Sequence, residues 1–156
     1  MKSPAIEREI AARSFEVDAP QARIWRLIGK VIFSCLPGME EVEVADEMNF
    51  RAIQRMKVAF IELRMKLKGE ITDITPPESL AVSLTIEGPG GLIRMRQKVT
   101  IGITAIGGKK TAVSCKAVAN DAGGPFSRLL LARAKLFVQA LFKDMEKRLQ
   151  YLVAEQ

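Results

Sequence analysis

Residues 61–87 read IELRMKLKGEITDITPPESLAVSLTIE. In the first part Leu63, Met65, Leu67 and Ile71 alternate with Glu62, Arg64, Lys66, Lys68 and Glu70. After Thr75-Pro76-Pro77-Glu78, Leu80, Val82, Leu84 and Ile86 alternate again. Period two over this length is the signature of strands with one apolar and one polar face. The proline turn between them is too short for a crossover, so the two strands pair antiparallel. This hairpin sets the fold class, and the flanking sequence extends it in both directions.

Upstream, Phe50, Ala52, Gln54, Met56 and Val58 form one face of a strand and Arg51, Ile53, Arg55 and Lys57 the other, with a turn near residues 59–61. Before it, Val42 and Val44 alternate with Glu41, Glu43 and Ala45. Downstream, Gly88-Pro89-Gly90-Gly91 reads as a hairpin loop. Ile93, Met95, Gln97, Val99, Ile101 and Ile103 then face one way and Arg94, Arg96 and Lys98 the other. Gly107-Gly108 turns the chain, and Val113 and Cys115 lead the last strand. Residues 6–17 make a first strand, with Phe15 and Val17 at period two. Asp18-Ala19-Pro20 opens a helix carrying Ile24, Trp25, Leu27 and Ile28, which Gly29 is expected to end. A second short helix holds Val31, Ile32, Phe33 and Leu36 and stops at Pro37-Gly38. Residues 121–125 open a long helix over residues 126–153, with Phe126, Leu130, Ala134, Phe137, Leu141 and Met145 as its apolar stripe.

The expected architecture is α+β. A curved antiparallel sheet of about seven strands wraps around a long C-terminal helix, with two short helices after the first strand. The apolar face of the sheet needs a cover, and the last helix is the element large enough to supply it. At 156 residues the chain is one domain, residues 1–156, with enough sequence for a real core.

Composition limits the chemistry. The chain has no histidine, which removes the usual neutral-pH proton carrier, His-centred triads and most zinc sites. Its two cysteines, Cys35 and Cys115, lie among apolar residues and read as buried free thiols. No cofactor, metal site or catalytic residue is indicated. Gly88-Pro89-Gly90-Gly91 lacks the lysine and helix of a phosphate loop. The net charge of +6 favours anionic partners without choosing among them. Nucleic acid is disfavoured, because no aromatics interleave the basic residues to stack bases. The charged N-terminus lacks the apolar region of a secretory signal, and no apolar run reaches a membrane span, so a cytoplasmic protein is expected.

Four segments carry a resemblance: SFEVDAPQARIWRLI (residues 14–28), CLPGMEEV (35–42), LKGEITDITPPESL (67–80) and GGPF (123–126). In this order they resemble the START-type helix-grip fold of the birch-pollen-allergen and polyketide-cyclase-like (SRPBCC) proteins. More narrowly, they resemble the family of CoxG, the G subunit of carbon monoxide dehydrogenase. The resemblance implies an apolar cavity between sheet and helix and an association with molybdenum-containing carbon monoxide dehydrogenases. It also implies a role in bringing such enzymes to the inner membrane face or to their electron acceptor. Some members carry a C-terminal extension with a membrane-associating segment; this sequence ends at Gln156, so direct anchoring is not expected. The resemblance brings no catalytic pattern.

Two sites follow as expectations. The cavity candidates are Gln54, Met56, Met65, Leu84, Met95, Gln97, Val99, Phe126, Leu130, Phe137 and Leu141. Methionines adapt to irregular space, and Gln54 and Gln97 interrupt the apolar parity of their strands with amides that require partners. The second site is a basic docking face made of Arg51, Arg55 and Lys57, then Arg64, Lys66 and Lys68, then Arg94, Arg96 and Lys98. The expected function is a non-enzymatic carrier of a lipid- or quinone-like molecule, accessory to a carbon monoxide dehydrogenase-type molybdenum hydroxylase. The alternatives are a ligand-free docking or membrane-recruitment module using the basic face, and a small cyclase- or hydrolase-like enzyme. Oligomeric state is not legible.

Overall fold

The computed structural model describes residues 7–34, 39–46, 48–58, 60–91, 94–123 and 127–155; within these, the side chains of residues 7–8, 32–34, 39, 56, 58, 91, 120–123 and 127–130 are left aside. Seven strands form one antiparallel sheet in the order β1-β7-β6-β5-β4-β3-β2. They are β1 (Glu7–Val17), β2 (Met39–Val44), β3 (Asn49–Val58), β4 (Ile61–Thr75), β5 (Ser79–Glu87), β6 (Arg94–Ala105) and β7 (Thr111–Gly123). Helix α1 (Gln21–Ser34) follows β1, and helix α2 (Ser127–Ala154) ends the chain. The alternation read from the sequence is the alternation of burial: in β6, Met95, Gln97, Val99, Ile101 and Ile103 are buried and their neighbours largely exposed.

Two local expectations need correction. One helix, α1, stands where two were expected, and Gly29 does not end it. Ile24, Ile28 and Val31 form a buried stripe that continues through the glycine, and Gly29 itself sits on the exposed side. A single exposed glycine costs about 1 kcal/mol of helix propensity, less than the burial of that stripe returns at about 1.5–3 kcal/mol per large side chain. Leu36 and the Pro37-Gly38 stop lie outside the described residues. Residues 121–123, expected to open the last helix, continue β7, because Ala122 and Gly123 pair with Met95 and Arg94 of β6.

The core lies between the concave face of the sheet and α2, with α1 closing one end. Side-chain bonds tie that end together. Thr111 Oγ1 donates to the Ala19 carbonyl at 2.7 Å, and Gln21 Nε2 to the Ile103 carbonyl at 2.8 Å. Helix α2 rests chiefly on β1, less on β7 and α1, and only lightly on β3. Among the described residues, three side-chain hydrogen bonds fasten its C-terminal half. Arg13 Nε donates to Glu146 Oε1 at 2.6 Å, Gln150 Nε2 to the Glu16 carbonyl at 2.8 Å and Arg23 Nη2 to the Leu152 carbonyl at 3.3 Å. Arg13, which shares parity with Phe15, thus turns its guanidinium to the edge of the core rather than into it.

Candidate ligand-binding site

Beneath the N-terminal half of α2 the sheet and helix enclose a cavity of about 30 Å³. Its walls are Phe50, Leu67, Leu84, Ile86 and Val99 from the sheet and Ala134, Phe137, Val138 and Leu141 from the helix, with Gln54 and Gln97 among them. Both glutamines are buried, at 2% and 5% exposure. Gln97 Nε2 reaches the Met95 sulfur at 3.9 Å, a weak acceptor. Gln54 has no side-chain hydrogen bond among the described residues. An unmade bond to a buried amide costs about 1–3 kcal/mol. The space admits about two water molecules, whereas a pocket for a drug-sized molecule measures about 300–1,000 Å³. Uptake of a larger molecule therefore requires the cavity to widen.

Of the cavity candidates, Gln54, Leu84, Gln97, Val99, Phe137 and Leu141 line this space. Met65 and Met95 are fully buried in the core but do not line it. Both belong to the packed core, so the methionine argument places flexible packing there rather than a cavity wall. Phe126 and the side chains of Met56 and Leu130 lie outside the described residues. The helical stripe read from the sequence missed Val138 on the cavity and Phe142 and Leu149 in the core. Steps of three and four from Ala134 to Leu141 and Met145 admit both Val138 and Phe142, and that 3.6-residue period was the available signal.

The basic residues stand together on the opposite face. Arg51 pairs in register with Lys68, Lys68 with Thr85 and Thr85 with Arg96, so three cations lie in one row across β3 to β6. Arg55 faces Arg64 in the adjacent strand. The acids select among them. Arg55 bridges Glu40 at 3.0 Å and Glu62 at 3.4 Å, Arg64 reaches Glu41 at 3.6 Å, and Arg94 reaches Glu87 at 3.8 Å. The two carboxylates beside Arg55, Glu40 first, push its pKa still higher. Arg51, Lys57, Lys66, Lys68, Arg96 and Lys98 have no ion pair among the described residues.

A model of the family of CoxG, the G subunit of carbon monoxide dehydrogenase, matches residues 14–150. The chain belongs to that family. A comparison with curated proteins gives no match. Among solved structures, a conserved protein from Geobacillus kaustophilus is 23% identical, with a TM-score of 0.70, over 88% of this chain and 93% of its own. Norcoclaurine synthase from Thalictrum flavum, solved with dopamine and hydroxybenzaldehyde, is 14% identical with a TM-score of 0.68, over 97% and 89%. The Zhui aromatase/cyclase from Streptomyces sp. R1128 is 13% identical with a TM-score of 0.63, over 93% and 94%. These likenesses show the shared helix-grip fold of the START and polyketide-cyclase-like proteins. In this CoxG family member the fold spans α2 across an amide-bearing apolar cavity.

The described thiol is poorly suited to chemistry. Cys115 is buried in β7, and burial, with Glu146 adding to it and Arg13 opposing it, pushes its pKa up to about 12. In the unfolded chain it ionises near 9.0. Its stabilising contribution is thus complete below pH 9 and is lost as pH rises from 9 towards 12. Melting curves of the native protein should fall across that window more steeply than those of Cys115→Ala. The native thiol should also resist alkylation at neutral pH.

Proposed function

We propose that the protein is a non-enzymatic carrier that holds an apolar, lipid- or quinone-like molecule between the sheet and α2, as an accessory to a carbon monoxide dehydrogenase-type molybdenum hydroxylase. The observation that carries this reading is the placing of two poorly partnered amides, Gln54 and Gln97, in an otherwise apolar cavity. A ligand carbonyl or hydroxyl would satisfy them. Membership of the CoxG family supports the partner. A peripheral place at the membrane is supported by Phe60 and Ile61, which are exposed at the β3–β4 tip. Because β3 and β7 run in the same direction, this tip lies at the end of the sheet from which α2 departs. No helix among the described residues is long and apolar enough to cross a membrane.

Native mass spectrometry of the protein purified from its own cells, with organic extraction of any adduct, tests the carrier. A bound apolar molecule is the expected result. An adduct-free mass, together with an unchanged melting temperature on adding an isoprenoid quinone, would overturn it.

A second reading is favoured by the cations of the outer face that have no ion pair among the described residues and whose like-charge register works against sheet stability. Here the face docks an acidic surface of the partner enzyme. Charge reversal at Lys66, Lys68 and Arg96 should abolish that docking and leave ligand uptake intact. Arg55 is a poorer position for the test because Glu40 and Glu62 already neutralise it.

A further inference from the structure

The outer face carries a second concavity, which shares only Phe50 with the cavity under α2. It is a depression of about 390 Å³ over β3, β4 and β5, lined by Asn49, Arg51, Lys68, Glu70, Ser83 and Thr85 with Ala45 and Asp46 at its side. The register explains why these side chains converge. Arg51, Lys68 and Thr85 form one cross-strand row, and Asn49, Glu70 and Ser83 form the next.

The side wall is preformed. Asp46 Oδ1 accepts the Met48 N–H at 2.8 Å and Asn49 Nδ2 at 3.0 Å, and the Met48 carbonyl accepts the Ile71 N–H at 2.8 Å. These bonds fasten the β2–β3 turn to β4. They also occupy the Asp46 carboxylate, and the Met48 N–H and then the Asn49 amide hold its pKa below the usual value. Asp46 therefore builds the wall and stays anionic at the side of the depression.

We propose that this depression is a binding site for a phosphate monoester of a small polyol. Arg51 and Lys68 stand directly opposite each other, an arrangement that disfavours the sheet unless an anion lies between them. Glu43 is Arg51's register partner in β2, yet no ion pair joins them. The acids that bridge Arg55, Arg64 and Arg94 leave this row bare. A guanidinium, an ammonium and the hydroxyls of Ser83 and Thr85 offer more donors than the two oxygens of a carboxylate can accept. They suit the three terminal oxygens of a phosphate monoester. Glu70 is a carboxylate of the lining with no side-chain hydrogen bond or ion pair among the described residues. It repels a bare anion and accepts a hydroxyl, so the ligand needs a hydroxylated body beside its phosphate. The same phosphate could be free in solution or the headgroup of an anionic lipid.

Calorimetric titration of the full chain at about 150 mM salt, where long-range attraction is screened, tests the site with glucose 6-phosphate, inorganic phosphate and glucose. Glucose 6-phosphate should bind, inorganic phosphate more weakly and glucose not at all. Arg51→Gln and Lys68→Gln should each weaken glucose 6-phosphate by about tenfold or more, while melting no lower than the parent without ligand. Glu70→Gln should tighten inorganic phosphate and narrow its gap to the sugar ester. Vesicles of phosphatidylcholine containing phosphatidic acid separate the two sources. Binding to them that glucose 6-phosphate displaces assigns the site to a lipid headgroup, and its absence assigns the site to a soluble ester. The proposal is overturned if glucose 6-phosphate does not bind at millimolar concentration. It is equally overturned if Arg51→Gln and Lys68→Gln leave binding unchanged.

Discussion

Replacing Gln54 and Gln97 together by leucine is expected to raise the melting temperature and abolish ligand uptake. Leucine is close in volume, so the core need not reorganise. Each substitution removes a buried amide whose hydrogen bonding is incomplete among the described residues, a defect worth about 1–3 kcal/mol. At about 2–4 °C per kcal/mol for a chain of this size, the double variant should melt several degrees higher. The gain in stability and the loss of binding are one effect, because the groups that cost the empty protein are those that recognise the ligand's polar end. Thermal melting with and without a long-chain alcohol or isoprenoid quinone checks both halves. A lower melting temperature would mean that the amides are already satisfied in the empty protein, and the carrier reading would lose its main support.

The alternation in residues 50–58, 61–71, 80–86 and 93–103 was sufficient for the sheet, because a strand with one buried face must place every second residue in the core. The same parity marks Gln54 and Gln97 as inward residues from the sequence alone, since a polar residue on an apolar parity is visible as an interruption. Cavity size was not legible. Whether Met65 and Met95 leave space or fill it depends on how far α2 stands from the sheet, a distance set by side chains on three layers at once. The methionines fill. Ion pairing on the outer face was only partly legible. Glu40, Glu41, Glu62 and Glu87 all reach their arginines across strands, through a register that the sequence states only indirectly. Gly29 misled for a related reason: a glycine ends a helix when backbone geometry requires it, and here an unbroken apolar stripe on the other side keeps the helix going.

Helix α2 has two halves with different duties, and truncating each should have different costs. Phe142 is 1% exposed and is among the largest fully buried side chains of the protein. It lies in the half held by Met145, Leu149, the Arg13–Glu146 pair and the Gln150 bond to β1. Phe142→Ala should therefore cost about 3–5 kcal/mol, a large share of the roughly 5–15 kcal/mol that holds a domain together. Phe137 is half-buried on the cavity. Its truncation should cost clearly less and enlarge the ligand space, so Phe137→Ala should admit bulkier apolar probes while still folding. Denaturant unfolding gives the two stabilities, and titration with a fluorescent fatty acid gives the two capacities. Equal destabilisation by the two variants would show that α2 is clamped along its whole length. A helix clamped along its whole length would not lift to enlarge a cavity of about 30 Å³, so an opening at α2 depends on this difference between one end of the helix and the other.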